Sequence, residues 1–166
     1  MVNERDPLRP FSDYLSRDHE RLGRLLEQCR DHPATDERAA YDAFRAGLLR
    51  HIGIEEKLLF PVARQRGDAE VRERVDRLHR EHAALAALLV PTPTPEIVQT
   101  IKSVLDRHNT DEESTDGLYA VCDGLPPDER EALAQRARSA PEARVAPHYD
   151  SASVHANIRT LLSAAN

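Results

Sequence analysis

The sequence predicts an all-α protein, an antiparallel four-helix bundle with additional C-terminal helices. Four long stretches repeat apolar residues at intervals of three and four, the spacing that gives a 3.6-residue helix one apolar face. No run alternates apolar and polar residues as a half-buried strand would, and only six of the 166 residues are glycine. Gly67, the Pro91 to Pro95 cluster and the Gly124 to Pro127 segment fall between the periodic stretches, where helices end.

The first helix is expected from about Ser12, whose hydroxyl can cap it, to about Cys29, before the His32-Pro33 step that disfavours helix. The second starts near Thr35-Asp36 and continues to about Gln65, stopping at Gly67. The third covers Asp68 to Val90. Pro91, Pro93 and Pro95 make a stiff connector, and the fourth helix runs from Pro95 to about Asp123. A fifth is expected from about Asp128 to Arg138 and a last from about Ser151 to Leu162, with Ala140 to Asp150 as a linker wrapping the tail onto the body. Residues 1–139 are thus read as the bundle, and 140–166 as a linker and helical tail packed on it. A chain of this length fits one such domain and little more.

Charge and composition exclude several functions. Lys and Arg number 23 against 29 Asp and Glu, so the net charge of −6 argues against a nucleic-acid partner, which would need a basic face. No apolar run approaches the ~18 residues of a membrane span, and Met1 to Pro10 is charged and proline-bearing rather than signal-like, so no membrane partner and a cytoplasmic location are expected. Cys29 and Cys122 lack a CxxC partner and read as free buried thiols. Neither a GxxxxGK[ST] loop, a GxGxxG turn nor an HExxH pair is present, which leaves phosphate, dinucleotide and zinc-protease chemistry without support. Nothing in the sequence identifies a protein partner.

Polar groups interrupt the apolar seams. The second helix presents Tyr41, Phe44, Leu48, His51, Glu55, Leu58 and Val62 on one stripe, and the third presents Val71, Val75, Leu78, His82, Leu85 and Leu89. The fourth gives Ile97, Ile101, Val104, His108, Glu112, Thr115 and Leu118; the first gives Leu15, His19, Leu22, Leu26 and Cys29. Every long helix therefore carries a histidine among its core positions. Residues four apart lie about 6 Å along the axis and within about 40° of one another, so His51 with Glu55, and His108 with Glu112, can each reach one point. Four imidazoles and two carboxylates are costly to bury unsatisfied, at ~1–3 kcal/mol for each polar group. A pair of divalent ions would satisfy them together, since imidazole nitrogen and carboxylate oxygen suit iron, manganese or zinc.

The pattern is also repeated. Asp18-His19 echoes Glu81-His82, and the HxxxEE of residues 51–56 echoes that of residues 108–113. This H, HxxxE, H, HxxxE arrangement, formed by His19, His51 with Glu55, His82, and His108 with Glu112, resembles the hemerythrin-like HHE cation-binding domains over about Phe11 to Arg138. The resemblance implies a hemerythrin-like bundle holding two iron ions, oxo- or hydroxo-bridged, that binds or reacts with dioxygen, nitric oxide or peroxide. It implies His19 and His51 on one ion, His82 and His108 on the other, and Glu55 and Glu112 bridging. Oxygen-carrying hemerythrins have HxxxH on the third helix and HxxxxD on the fourth, whereas this chain has Leu78 four residues before His82 and spaces its acid as HxxxE. It therefore looks like the bacterial HHE group rather than a reversible oxygen carrier.

Several neighbours have competing readings. His79, about 60° off the seam, could replace the fifth histidine, donate to a ligand or sit at the solvent boundary; the non-ligand reading is preferred. Asp111 could compete with Glu112, which is preferred because it copies the first half's spacing. Glu56 and Glu113 are assigned to arginines on the surface. His32, His148 and His155 are expected to be solvated, and Tyr41 to be core or to line the way to a ligand pocket. Pro61 is expected to bend the second helix, and the tail to cap the bundle. The alternatives to a binding protein are a peroxide- or nitric-oxide-consuming di-iron oxidoreductase and a structural zinc or manganese bundle.

Overall fold

A computed structural model describes residues 8–165, which form helices and loops with no strand among them. In chain order these are α1 (Pro10–Gln28), α2 (Arg38–Ile54), a π-helical turn (Glu55–Leu59), α3 (Phe60–Arg66), α4 (Ala69–Leu88), α5 (Pro95–Glu113), α6 (Leu118–Asp123), α7 (Pro127–Arg138) and α8 (Ala152–Ala165). The bundle comprises α1, the α2–α3 segment, α4 and α5; α1 packs on α2 and α5, and α4 on α3 and α5. Of the segment Met1 to Pro10 read as not signal-like, residues 1–7 lie outside the described residues. Among the described residues no helix is long and apolar enough to cross a membrane.

Helix ends follow local chemistry. α1 begins two residues earlier than expected, because Pro10 has no N–H to leave unsatisfied in a first turn. Ser12 does not cap it; the buried hydroxyl donates to Asp123 Oδ1 at 2.5 Å and ties α1 to the end of α6. Asp68 caps α4 by accepting from the Val71 N–H at 3.0 Å, and Thr94 caps α5 through the Ile97 N–H at 3.3 Å.

Two helices expected to be continuous are interrupted, both beside the polar layer. The second passes through a π turn in which the Phe60 N–H bonds to the Glu55 carbonyl. Pro61 accounts for it: proline cannot donate to the carbonyl four residues back, and its ring crowds that carbonyl, so the turn widens. The fourth ends at Glu113, and a turn closed by Gly117 N–H to Ser114 O at 2.7 Å leads into α6. A Cβ at Gly117 would lie 2.3 Å from the Glu112 carbonyl oxygen, so only glycine passes there. Thr115, assigned to the seam, is consequently exposed, and α6 packs on α1, α3 and α5 to close that end of the bundle.

The core has two apolar regions. One gathers Phe11, Leu15, Ile54, Leu58, Leu78 and Leu118; the other gathers Leu22, Leu26, Leu48, Leu85, Ile101 and Val104. Along each bundle helix the seam histidine lies between these groups, so the polar residues form one layer between two dry ones.

The segment after α7 runs back along the bundle. Buried Arg45 donates to Leu89 O and to Ala146 O, both at 2.7 Å, while the Tyr149 N–H reaches Val90 O at 3.0 Å. α8 then lies against α4, placing Ile158 in the core. His148 is not solvated: its ring is 9% exposed and stacks on Tyr41 at 6.1 Å, because Arg45 pins the segment over that ring. His32 and His155 are exposed, and Cys29 and Cys122 are free and buried.

Candidate metal centre

His19, His51, Glu55, His82, His108 and Glu112 meet in the polar layer, none more than 8% exposed. The imidazoles pair by half: the His19 and His51 ring centroids are 4.5 Å apart, and His82 Nε2 lies 3.1 Å from His108 Nε2. The carboxylates span the halves. Glu55 places Oε1 3.0 Å from His51 Nε2 and Oε2 3.2 Å from His82 Nε2. Glu112 places Oε1 3.4 Å from His108 Nε2 and Oε2 3.5 Å from His19 Nε2.

Each imidazole has a carboxylate behind it. Asp18 accepts from His51 Nδ1–H at 2.9 Å, Glu81 from His108 at 2.9 Å, Glu56 from His82 at 2.7 Å, and Glu113 from His19. A proton on each Nδ1 leaves the Nε2 lone pair pointing inward, the tautomer a metal ligand requires. The assignment of Glu56 and Glu113 to surface arginines is therefore wrong. Their side chains leave the seam of their own helices and meet the histidine of the neighbouring helix, a contact set by inter-helix register rather than by angle along one helix. The doubled acid, repeated in both halves, was the available signal.

Opposite charges offset part of the cost of burying the layer. Burial pushes the His51 imidazole down, but Glu55 and Asp18 outweigh it and bring its pKa up to about 10. Burial likewise opposes the charged form of His108, and Glu112 with Glu81 raises its pKa to about 10. Glu55 is held well below the usual carboxylate range, its burial overcome by His51 and His82. Arg21 backs Asp18 at 2.7 Å, and Arg107 backs Glu81 at 3.1 Å.

Tyr119 belongs to the site and was not foreseen. Its buried hydroxyl donates to Glu55 Oε1 at 3.0 Å and lies 3.3 Å from His19 Nε2. Burial and the charges of Glu112 and Glu55 raise its pKa well above the ordinary phenol value. Phe60, carried on the π turn's far side, stacks on His82 at 5.0 Å. His79 stays outside the layer, its side chain 59% exposed and its Nδ1 2.9 Å from Glu56. Asp111 does not compete for the centre, being paired with Arg77 at 2.7 Å. Tyr41 is core and is not among the residues lining the cavity that reaches the layer.

The donor set fits a pair of cations. One ligand atom from each of Glu55, His82, His108 and Glu112 lies within 4.8 Å of the others, as do atoms of His19, His51 and Glu55, so Glu55 is common to both groups. His51 Nε2, Glu55 Oε2 and both Glu112 oxygens are buried with no well-aligned hydrogen-bond partner, the facing imidazoles and carboxylates meeting them only as charged neighbours. Such orphaned groups are rare in folded proteins unless an ion or water meets them.

A helical bundle whose central layer presents inward-facing imidazoles and shared carboxylates defines a class of cation-binding proteins. The profile of the hemerythrin HHE cation-binding domain matches residues 11–117, and the chain belongs to that family. No curated protein and no solved structure matches it.

Proposed function

We propose that the layer holds two iron ions and that the protein binds dioxygen, nitric oxide or peroxide there. The observation that carries this reading is the double set of oriented donors: four imidazoles fixed from behind by carboxylates, with two further carboxylates whose oxygens reach both halves. In it His19 and His51 hold one ion, His82 and His108 the other, and Glu55 and Glu112 are shared. Bound iron supplies open coordination positions and a change of oxidation state. The chain's own residues orient the donors, line the approach to them with aliphatic Leu22, Leu48 and Leu85, and hold a proton on Tyr119 Oη directed at Glu55.

The test is anaerobic loading with ferrous iron, followed by metal analysis and by absorption spectra with and without azide. Close to two irons per chain are expected, with near-ultraviolet bands that shift with azide. Glu55→Ala and His108→Ala should abolish two-metal loading, and His79→Ala should largely spare it. Exclusive retention of zinc or manganese, with no iron-dependent absorption, would overturn the reading in favour of a structural bundle. Steady-state consumption of peroxide or nitric oxide, rather than saturation after one equivalent, would overturn the binding-protein reading in favour of an oxidoreductase.

A further inference from the structure

A cavity of about 200 Å³ extends from one side of the polar layer toward the surface. Its inner end is formed by His19, His51, Glu55, His82 and His108, and its walls are largely aliphatic, including Leu22, Leu26, Leu48, Ile52, Leu85 and Leu105. Exposed Gly23 and Glu27 on α1, with Lys102 and Asp106 on α5, form its outer end. Tyr119 and Phe60 are not among the lining residues, so they cover other sides of the layer.

The cavity takes in the space beside the cation-site imidazoles at its inner end, and the aliphatic part beyond them still exceeds what a diatomic needs. A water molecule accounts for about 30 Å³ of its liquid, and an aliphatic cavity of about 150 Å³ is sufficient to bind benzene. The outer end is not built for an anion: its one ammonium, on Lys102, is already held by Asp106 at 2.7 Å, and Glu27 adds a second carboxylate. Size, wall chemistry and rim charge agree on one kind of occupant. We infer that this cavity binds a neutral, mostly apolar organic molecule of about benzene size, with one end against the imidazole face of the metal layer.

The inference extends the proposed function by naming a further ligand class at the same layer, yet its test does not depend on iron. Gly23 offers a clean perturbation, since a Cβ built there meets nothing within 4 Å. The backbone therefore leaves room for a side chain at this lining position, and Gly23→Phe is used to put a ring at the outer end, with circular dichroism checking that the fold is kept. Toluene and benzoate, similar in size and different in charge, would be titrated by calorimetry into metal-free and iron-loaded protein.

Toluene is expected to bind one to one in both forms, benzoate at least tenfold more weakly, and Gly23→Phe to weaken toluene at least tenfold while retaining wild-type metal content. Absence of saturable toluene binding in both forms would overturn the inference, as would equal affinity for benzoate. Unchanged binding in folded Gly23→Phe calls for a second variant, Leu105→Trp, which fills the cavity from α5; undiminished affinity there too would place the ligand elsewhere and overturn the inference. Metal analysis separately decides the iron reading, so the two can fail independently.

Discussion

Glu81→Gln tests whether the outer carboxylates orient the donors. Glu81 is fully buried and accepts from His108 Nδ1–H at 2.9 Å on one oxygen and from Arg107 Nε–H at 3.2 Å on the other. Glutamine keeps the volume but has one accepting oxygen, so either His108 or Arg107 faces an amide N–H. Loss of such a partner behind a ligating histidine costs about 10- to 100-fold in metal affinity, or about 1.4 to 2.7 kcal/mol. In the metal-free protein one buried donor goes unmet, at about 1–3 kcal/mol. At about 2–4 °C per kcal/mol for a chain of this size, the melting temperature should fall by about 2 to 12 °C. The affinity is read by competition with a chromophoric chelator, and the melting temperature by circular dichroism. Glu70→Gln, at a side chain 79% exposed, is the control and should change neither. Wild-type metal affinity in Glu81→Gln would refute the claim that Glu81 orients His108.

Tyr119→Phe removes the hydroxyl that donates to Glu55; a hydrogen bond to a charged acceptor contributes about 1.5–3 kcal/mol, so metal-free protein should melt about 3 to 12 °C lower. Gly117→Ala forces a methyl against the Glu112 carbonyl, and urea denaturation should show destabilisation of at least about 1–3 kcal/mol with impaired metal loading, because a backbone neighbour cannot move aside. Burial raises the Cys29 thiol to about 11 and the Cys122 thiol to about 12, with nearby acidic groups adding to both. Both thiols should therefore resist a disulfide reagent at pH 8 and react once urea unfolds the chain. Because the raised values favour the protonated folded state, their contribution to stability is complete below the ordinary thiol range near pH 8.5 and is lost as pH rises through about 11 and 12.

The layer was legible because it lies on the seams. A helix repeats its facing every three or four residues, so His51 and Glu55 fall on the same stripe as Leu48 and Leu58 whatever the tertiary fold, and six polar residues on four such stripes have to meet. Residues one position off the stripe obey a different rule. Glu56 is turned 100° from Glu55 along its helix, which suggests solvent, yet α4 packs close enough for that direction to end on His82. Tyr119 was obscured for a related reason: extrapolating α5 as one straight helix put Thr115 and Leu118 on the seam, whereas the break at Gly117 exposes Thr115 and brings the tyrosine hydroxyl onto Glu55. Pro61 announced a distortion of the second helix, which takes the form of a widened turn over Glu55–Leu59 rather than a simple bend.

The repeat follows a rule that reaches beyond symmetry. In each half the acid preceding the lone histidine, Asp18 or Glu81, holds the HxxxE histidine of the same half. The second acid of each HxxxEE, Glu56 or Glu113, holds the lone histidine of the other half. Glu55 and Glu112 cross between the halves in the same way. One hairpin alone would therefore present a lone histidine without its backing carboxylate and a shared carboxylate with one imidazole neighbour missing. The oriented donor set comes into being only when both hairpins dock, so a cation that prefers it must stabilise the docked bundle over its separated halves. The buried charges that make the layer expensive without a cation are thus the same groups through which cation binding and folding become one equilibrium.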